Sequence, residues 1–581
     1  MSYAAPVADM IAVLKGAAGL DAALAEGIAG DLGADDVRTI LEEAGRFAGS
    51  VIAPLNRVAD AKGTPFENGR ITMPPGFKEA YRSWAEGGWN ALAAPEEHGG
   101  QDLPHMVAVA CSEMWNSASL AFALGPLLTI GAIEALDKHG SPELKERYLG
   151  KLVSGEWMGT MNLTEPQAGS DLAALRAKAE RAGDGSYRIF GTKIFITYGE
   201  HDLTDNIVHL VLARLPDAPA GTRGISLFLV PKILPDGSLN DVRCAGIEHK
   251  LGIHGSPTCV MVYGDAGGAT GWLIGEENRG LACMFTMMNN ARLNVGIQGV
   301  AIAERAYQGA LAYARERRQG RAPGSAGPGM SPIVEHPDVQ RMLLTMKSAT
   351  MAARAICYLT AACLDRAARA SDPRAGERAS LLTPVAKAFS TDIGNEVASL
   401  GVQVHGGMGF VEETGAAQHL RDARILPIYE GTNGIQAIDL VTRKLPLEGG
   451  EVVAEEIAAM RVTVKALMNK GDAFGASAAR LRDAVDSLDR ATSFLLKALA
   501  GNDPAAALAG ATPYLRLFGL ARGGTLLAEI ALAAEGGEAG RGHVALCRFF
   551  AENLVPAAGG LEASILGGAG FLDDARAALA S

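Results

Sequence analysis

A block of short β-strand patterns between two long helical regions constrains the fold of this chain more than any other feature. Between about Met158 and Tyr263, β-rich runs such as residues 207–212 and 225–231 alternate with turn residues. No helical pattern of about 10 to 15 residues separates these runs, as a parallel Rossmann sheet would require. The block therefore predicts an antiparallel sheet domain or a small barrel.

Helical periodicity occupies the sequence on both sides of this block. Apolar residues recur at helical spacing from residue 34 to about 155, and again in long stretches from 280 to about 445. A Gly/Pro/Ser-rich insert, residues 319–332, predicts a loop between two of the later helices. We expect an α+β protein with an N-terminal helical domain at residues 1–157, a middle antiparallel β domain at 158–278 and a helical bundle domain at 279–445.

The C-terminal part of the chain predicts an additional helical domain at residues 446–581. It is rich in alanine and amphipathic, with helical patterns at 464–469, 478–499 and 514–534. The Gly/Ala-rich tail that follows is predicted to be frayed. The 581 residues thus divide into four units, in keeping with about 150 residues per domain.

Composition and missing motifs exclude several classes of function. Lys and Arg number 53 against 65 Asp and Glu, without a basic block, so no nucleic-acid partner is expected. The seven cysteines show no C-x-x-C pair and no zinc-like spacing, which favours a reducing compartment. No signal-peptide pattern and no run of about 18 apolar residues is found, so we expect a cytoplasmic protein without membrane contact. The Walker, Rossmann, nucleophile-elbow and H-E-x-x-H motifs are also missing from the sequence.

Three polar stretches that contain glycine, residues 161–171, 401–410 and 425–436, are candidate binding segments. Glycines with hydroxyl side chains and free backbone N–H groups can surround an anion or a heteroaromatic edge. Closely spaced glycines, as in the second stretch, let a backbone approach a ligand. Taken alone, the first stretch is more typical of an interdomain turn, and the second is equally typical of a helix C-cap and turn.

Glu430 and two arginines are the candidate chemical groups. Glu430 follows largely apolar residues and precedes Gly431, so burial would raise its carboxyl pKa and suit it to act as a general base. A lone Glu in a loop is, however, usually solvated. Arg292 and Arg317 can bind phosphates through forked hydrogen bonds, although arginines at helix ends are more often surface charges. His405 and His254 have no partners at metal-ligand spacing, so no metal site is expected.

The order and spacing of these stretches resemble the acyl-CoA dehydrogenase family over about residues 35–445. The matching motifs are Leu-Thr-Glu-Pro-Gln-Ala-Gly-Ser-Asp, Gln-Val-His-Gly-Gly-Met-Gly-Phe and Ile-Tyr-Glu-Gly-Thr-Asn-Gly-Ile-Gln. The resemblance implies that FAD binds between the β domain and the helical bundle, across a subunit boundary. It further implies a homo-oligomer, which we expect to be a dimer.

The resemblance also implies roles for individual residues. Glu430 matches the catalytic base, and Ala291, where some relatives carry a Glu, cannot accept a proton. The flavin ring edge would meet Leu163 and Thr164, and the isoalloxazine would be covered by Phe195 and bonded by Thr197. The remaining cofactor contacts implied are Arg317 to the FAD pyrophosphate of the neighbouring subunit, the backbone of Gln403, Gly406 and Gly407 to the adenosine, and Thr432 near the base. The implied substrate contacts are Ser170, Arg292 and Gly431.

One position departs from the family pattern: Gly320 stands where an aromatic residue is often found, and the Gly/Pro insert follows it. The extra C-terminal domain and the segments 254–261 and 333–339 resemble a long bacterial subgroup that includes 3-methylmercaptopropionyl-CoA dehydrogenases, which act in dimethylsulfoniopropionate breakdown.

We therefore expect FAD-dependent α,β-dehydrogenation of an acyl-CoA, with Glu430 removing the α-proton, hydride transfer to flavin N5, and electron-transferring flavoprotein as acceptor. The alternatives are a general short- or medium-chain acyl-CoA dehydrogenase, an acyl-CoA oxidase, and a flavin-binding scaffold without catalysis. The acyl pocket is expected between helices around residues 108–136 and side chains near Met408.

Overall fold

The N-terminal unit is helical, as its apolar periodicity predicts, but its helices begin before residue 34. The computed structural model describes residues 3–325, 329–501, 504–534 and 537–580, so the centre of the predicted insert, 326–328, lies outside the described residues. The elements of the first unit are α1 (Val7–Gly16), α2 (Leu20–Ala25), α3 (Ala34–Phe47), α4 (Leu55–Lys62), β1 (Phe66–Glu67), β2 (Arg70–Ile71), α5 (Phe77–Glu86), α6 (His105–Ala118), α7 (Leu120–His139), α8 (Pro142–Leu144) and α9 (Gly150–Val153).

Helices α6 and α7 form the centre of this unit. Both are apolar around most of their circumference, which is the pattern of a helix enclosed on all sides. Ser119 separates them and caps α7 by accepting a hydrogen bond from the Phe122 N–H. The two helices pack against the first helix of the third unit, α10 (Gly280–Glu316), and α7 also packs against the first strand of the sheet, β3 (Met158–Asn162). They therefore connect the three units that surround the candidate site.

The middle unit is a curled and mostly antiparallel sheet. Its strands are β3 (Met158–Asn162), β4 (Lys178–Arg181), β5 (Tyr187–Thr197), β6 (Ile207–Arg214), β7 (Ile225–Pro231), β8 (Val242–Ile247), β9 (Thr258–Tyr263) and β10 (Ala269–Ile274). Strand β10 pairs with both β7 and β5, which closes part of the sheet as in a barrel. Only β3 with β6 and β4 with β6 are parallel among the described pairings.

The third unit is a bundle of three long helices followed by two short ones. They are α10 (Gly280–Glu316), α11 (Pro337–Arg369), α12 (Pro373–His405), α13 (Ala416–Ala423) and α14 (Asn433–Asp439). A buried ion network joins this bundle to α6, because Arg354 contacts Glu113 at 2.6 Å and Glu304 at 2.8 Å. The Tyr358 hydroxyl donates to the same Glu113 carboxylate at 2.8 Å.

The described residues of the C-terminal unit are mostly helical, and the prediction of a frayed tail is wrong because three helices follow residue 534. Its helices are α15 (Glu451–Met468), α16 (Ser477–Ala500), α17 (Pro504–Ala509), α18 (Ala511–Ala533), α19 (Glu538–Asn553), α20 (Ala558–Gly567) and α21 (Phe571–Leu579). Helix α19 is ordered by a stripe of Leu546, Cys547, Phe550 and Ala551, which are buried. The unit packs onto the bundle mainly through α18, which contacts α11, α12 and also α1.

Charged side chains reinforce this attachment of the C-terminal unit. Glu456 on α15 is buried and accepts a hydrogen bond from Arg378 of α12 at 2.6 Å. It also forms an ion pair of 2.7 Å with Arg522 of α18. At the other end of the unit, Asp9 of α1 lies 3.9 Å from His543 of α19. The C-terminal unit is therefore attached to both the N-terminal unit and the bundle.

Two helical stretches in the described parts of the chain are long and apolar enough to cross a membrane, by length and composition alone. The first is α7, and 83% of its apolar window is buried inside the fold. This identifies α7 as a core helix. The second runs from Glu538 to Leu579, and 17% of its window is buried.

Candidate active site

Glu430 lies on the turn between α13 and α14, in a backbone conformation that is rare outside glycine. Its φ is +56°, and that of Gly431 is +82°. Two successive left-handed residues reverse the chain sharply, and such conformations in non-glycine residues concentrate at functional sites. The Glu430 side chain is partly buried rather than solvated. Within the described part of the chain, its backbone N–H has no protein acceptor.

A buried lysine on α12 holds this turn from beneath. The Lys387 ammonium donates to the carbonyl oxygens of Leu426 and Gly431, each at 2.9 Å, and to Asn433 Oδ1 at 3.0 Å. The first two acceptors belong to the turn itself, and the third belongs to the first residue of α14. Lys387 thereby fixes the backbone on both sides of Glu430.

Amide side chains complete the support of the turn. Gln436 Nε2 donates to the carbonyl oxygens of Glu430 at 3.2 Å and of Gly431 at 3.3 Å. Asn433 Nδ2 donates to Asp392 Oδ1 at 2.7 Å. The Tyr429 hydroxyl donates to Oε1 of the buried Gln298 on α10. The residue before the base is thus tied to the bundle.

The electrostatic setting of Glu430 combines burial with two nearby cations. Burial raises the pKa of its carboxyl group, while the charges of Arg292 and Lys387 lower it. Arg292 on α10 is itself buried, and it pairs with Asp439 at 3.4 Å. A carboxyl group in this setting has a raised pKa and remains able to ionise, as a general base must.

The outer face of β5 presents an exposed aromatic ring. A bulge between Lys193 and Ile196 shifts the register of β5 against β9, and Phe195 at the bulge has φ +60°. The bulge turns the Phe195 side chain outward, where it is 57% exposed. Thr197, paired with Thr258, is partly exposed at the end of the strand. An exposed ring beside a hydroxyl fits a planar heteroaromatic ligand.

The loop that starts at Leu163 is held against this strand by a buried ion pair. Lys193 Nζ lies 2.8 Å from Glu165 and donates to the Leu163 carbonyl oxygen at 3.0 Å. The Ile194 N–H donates to the Thr164 carbonyl oxygen at 2.9 Å. Leu163 and Thr164 are therefore placed beside the bulge of β5, whereas Ser170 lies further along the loop and is exposed.

Of the remaining predicted residues, one adjoins the Glu430 turn and four lie elsewhere on the bundle. Thr432, next to the Glu430 turn, caps α14 by accepting a hydrogen bond from the Ile435 N–H at 3.3 Å. The predicted residues that are exposed on the bundle are Arg317, Gln403, Gly406 and Gly407. A Cβ atom added at either of these glycines would meet no atom within 4 Å, so their backbone is open to a ligand.

The two histidines have structural partners. His405 Nδ1 contacts the Gly401 carbonyl oxygen at 2.7 Å, and its ring stacks on Tyr313. His254 lies 2.9 Å from both the Lys250 carbonyl oxygen and Asp60.

The predicted acyl-pocket helices meet α10 through a buried polar group. Glu134 on α7 accepts a hydrogen bond from Asn290 on α10, and burial raises its pKa to about 7. The Ser112 hydroxyl on α6 donates to Asn294 of α10 at 3.2 Å. Met408, by contrast, is 49% exposed on the turn after α12, beside α13.

Sequence reasoning missed four supporting residues: Glu165, Lys193, Gln298 and Lys387. All four are buried. Gln298 and Lys387 are polar positions within largely apolar helical runs and Lys193 lies within a strand, whereas Glu165 lies in the polar stretch 161–171. A lysine at an inward position of a strand or helix is rare enough to signal a specific partner. That signal was available for Lys193 and Lys387, although it does not identify the partner.

Comparison with known proteins covers most of the chain. Four family models match: "Acyl-CoA dehydrogenase, N-terminal domain" at residues 34–156, the middle domain at 160–266, the C-terminal domain at 278–445, and "Acetyl-CoA dehydrogenase C-terminal like" at 454–573. A 3-methylmercaptopropionyl-CoA dehydrogenase of Ruegeria pomeroyi is 50% identical over 544 residues, which cover 92% of each chain. A butyryl-CoA dehydrogenase of Syntrophomonas wolfei is 36% identical over 90% of each chain. The structure of Caenorhabditis elegans ACDH-11 with C11-CoA shares the fold, with a TM-score of 0.77 at 21% identity over 93% of this chain and 91% of that one.

Proposed function

The chain belongs to the acyl-CoA dehydrogenase family of FAD-dependent oxidoreductases, and from this premise we propose that it oxidises 3-methylmercaptopropionyl-CoA to methylthioacryloyl-CoA. The observation that carries the proposal is Glu430, a partly buried carboxylate on a strained turn beside two cations. The substrate is supported by the relative of that activity at 50% identity. Such a reaction would serve dimethylsulfoniopropionate breakdown.

The residues around β5 and the Glu430 turn fit FAD. Phe195 and Thr197 would face the isoalloxazine, with Leu163 and Thr164 at the ring edge and Thr432 on the side of the base. When bound, FAD supplies a hydride acceptor for the β-carbon. The exposed Arg317, Gln403, Gly406 and Gly407 would contact the cofactor of a neighbouring copy.

In the proposed mechanism, Glu430 accepts the α-proton of the thioester. The α-proton is weakly acidic, so negative charge that develops on the thioester oxygen must receive hydrogen bonds. The Glu430 N–H has no other acceptor within the described chain and is suited to donate this bond. Arg292 and Ser170 would contact the CoA part, and Gly431 gives the turn its close approach to the acyl group.

A substrate panel tests the proposal. Flavin bleaching is measured anaerobically with butyryl-, hexanoyl-, palmitoyl- and 3-methylmercaptopropionyl-CoA, and kcat/KM is compared among them. We expect the highest value for the thioether substrate. Because one methylene or thioether is worth only about 1–3 kcal/mol in such a pocket, we expect a difference of about 10- to 200-fold. A higher value for butyryl- or hexanoyl-CoA would instead indicate a general short- or medium-chain dehydrogenase, and bleaching by none would favour a flavin-binding scaffold.

The same preparation separates a dehydrogenase from an oxidase. We propose electron-transferring flavoprotein as the acceptor, as the family resemblance implies. The measurement is the amount of hydrogen peroxide formed in air per enoyl-CoA produced. Near-equal amounts of the two products would identify an oxidase.

We further propose a homodimer in the cytoplasm. The dimer is supported by the exposure of the residues assigned to a neighbour's cofactor. The location is supported by the seven cysteines, which are all free and buried.

A further inference from the structure

Lys387 is a buried cation whose contacts converge on the turn that carries the base. Its three acceptors, on Leu426, Gly431 and Asn433, are all uncharged, and no carboxylate of the described chain pairs with it at ion-pair distance. An ammonium has three N–H donors, one for each acceptor, whereas a neutral amine has two. The geometry therefore fits the charged form.

An unpaired buried cation is costly unless it has a stabilising environment. Burial lowers the pKa of Lys387 to about 7, whereas the charges of Glu430 and Asp392 raise it and Arg292 lowers it. Arg292, the other cation that faces Glu430, already pairs with Asp439 at 3.4 Å. Lys387 is therefore the cation near the base whose charge is not neutralised at short range.

We propose that Lys387 is a positioning residue for Glu430: its hydrogen bonds fix the turn, and its positive charge stabilises the Glu430 carboxylate that accepts the α-proton. This inference rests on the proposed function, because it assigns a role relative to the base of that reaction. Asp392 on the same helix is engaged by Asn433. The second carboxylate near Lys387 is Glu430, and the positive charge of Lys387 lowers the pKa of Glu430.

The test is the pH dependence of kcat/KM for flavin bleaching in Lys387→Met. The variant lacks the positive charge, so the carboxylate is less stable and Glu430 takes up its proton at higher pH. We expect the acid limb of the profile to move up by about 1 pH unit, the lower end of what a nearby opposite charge produces. Lys387→Arg should restore part of the shift.

The matched control is Gln436→Leu, which removes neutral donors from the carbonyl oxygens of Glu430 and Gly431. We expect it to lower the rate without moving the limb. Equal movement of the limb in both variants, or none in Lys387→Met, would overturn the proposal. If Lys387→Met loses FAD, Lys387→Gln tests the same charge while keeping a polar side chain.

A second readout does not use turnover. ¹³C-glutamate labelling and NMR give the Glu430 titration directly, with the signal assigned through Glu430→Gln, and its midpoint should rise in Lys387→Met. A wild-type protein that fails to bleach with every acyl-CoA would refute the proposed function. Normal bleaching with an unmoved Glu430 midpoint would refute only the role of Lys387.

Discussion

At the scale of single residues, Glu430 is the position on which the proposed chemistry depends. We expect Glu430→Gln to retain FAD, because the amide has nearly the same size, and to lose flavin bleaching by at least about 10²-fold, the usual contribution of a general base. The measurement is stopped-flow bleaching with 3-methylmercaptopropionyl-CoA. The control is Glu413→Gln, an exposed carboxylate in the preceding loop, which should bleach at the wild-type rate. Wild-type bleaching by Glu430→Gln would reject it as the base.

Sequence reasoning predicted the burial of Glu430 but not what surrounds it. The apolar residues before Glu430 and the glycine after it indicated a buried carboxylate on a turn. Lys387 and Gln298 lie on helices distant in sequence, and periodicity shows only that such positions face inward. Their meeting at one turn depends on how α10 and α12 pack, which local patterns do not determine.

At the scale of elements, strand β5 carries both the flavin-facing side chains and the clamp on the loop at Leu163. The β-rich patterns at residues 187–190 and 194–197 predict two short strands, whereas the structure has one strand with a bulge. A bulge adds a residue without a turn signal, so the pattern breaks although the strand continues. Helix α19 was missed for a similar reason, because the glycines and alanines of the tail weaken the helical pattern of the apolar residues that are buried there.

We expect Lys193→Met to weaken FAD binding, with a smaller effect on the thermal stability of the fold. The substitution leaves Glu165 buried without its cation, and breaking such a pair costs about 3–5 kcal/mol. Lys193 also holds the loop that carries Leu163 and Thr164, so the substitution should loosen that loop as well. The measurement is the fluorescence of released flavin during dilution, together with thermal unfolding. Lys178→Met, at an exposed position of β4, should release no additional flavin. Equal flavin retention by both variants would contradict a role for the clamp.

At the scale of the whole molecule, the buried Glu456 connects the C-terminal unit to the bundle, and its charge makes that connection sensitive to acid. Burial acts to raise its pKa, but Arg522 and Arg378 outweigh burial and hold it below the ordinary value. A lowered carboxyl pKa contributes stability above the unfolded value of about 4.3, and this contribution is lost as pH falls through the folded value. We therefore expect the attachment of the C-terminal unit to the bundle to weaken as the pH falls through the folded pKa of Glu456.

We expect Glu456→Gln to lower the Tm at pH 7 and to flatten the fall of Tm below about pH 4.3, because the titrating group is gone. Differential scanning calorimetry across pH 3 to 8 measures both effects. Glu455→Gln removes a neighbouring exposed carboxylate that pairs with Arg374. Its Tm profile should follow the wild type, since an exposed pair contributes about 0–1 kcal/mol. A wild-type profile for Glu456→Gln would show that the pair carries no acid dependence.

The packing of α1 against α18 joins the first helix of the chain to one near its end. During synthesis at about 5–20 residues per second, α1 leaves the ribosome roughly 25 to 100 seconds before α18 exists. Its buried residues, Met10, Ile11, Val13 and Leu14, are without that cover for this interval. Until α18 is made, α1 has only its earlier packing partners, α2, α3 and α11, and the part of its apolar face that α18 covers is exposed on the nascent chain.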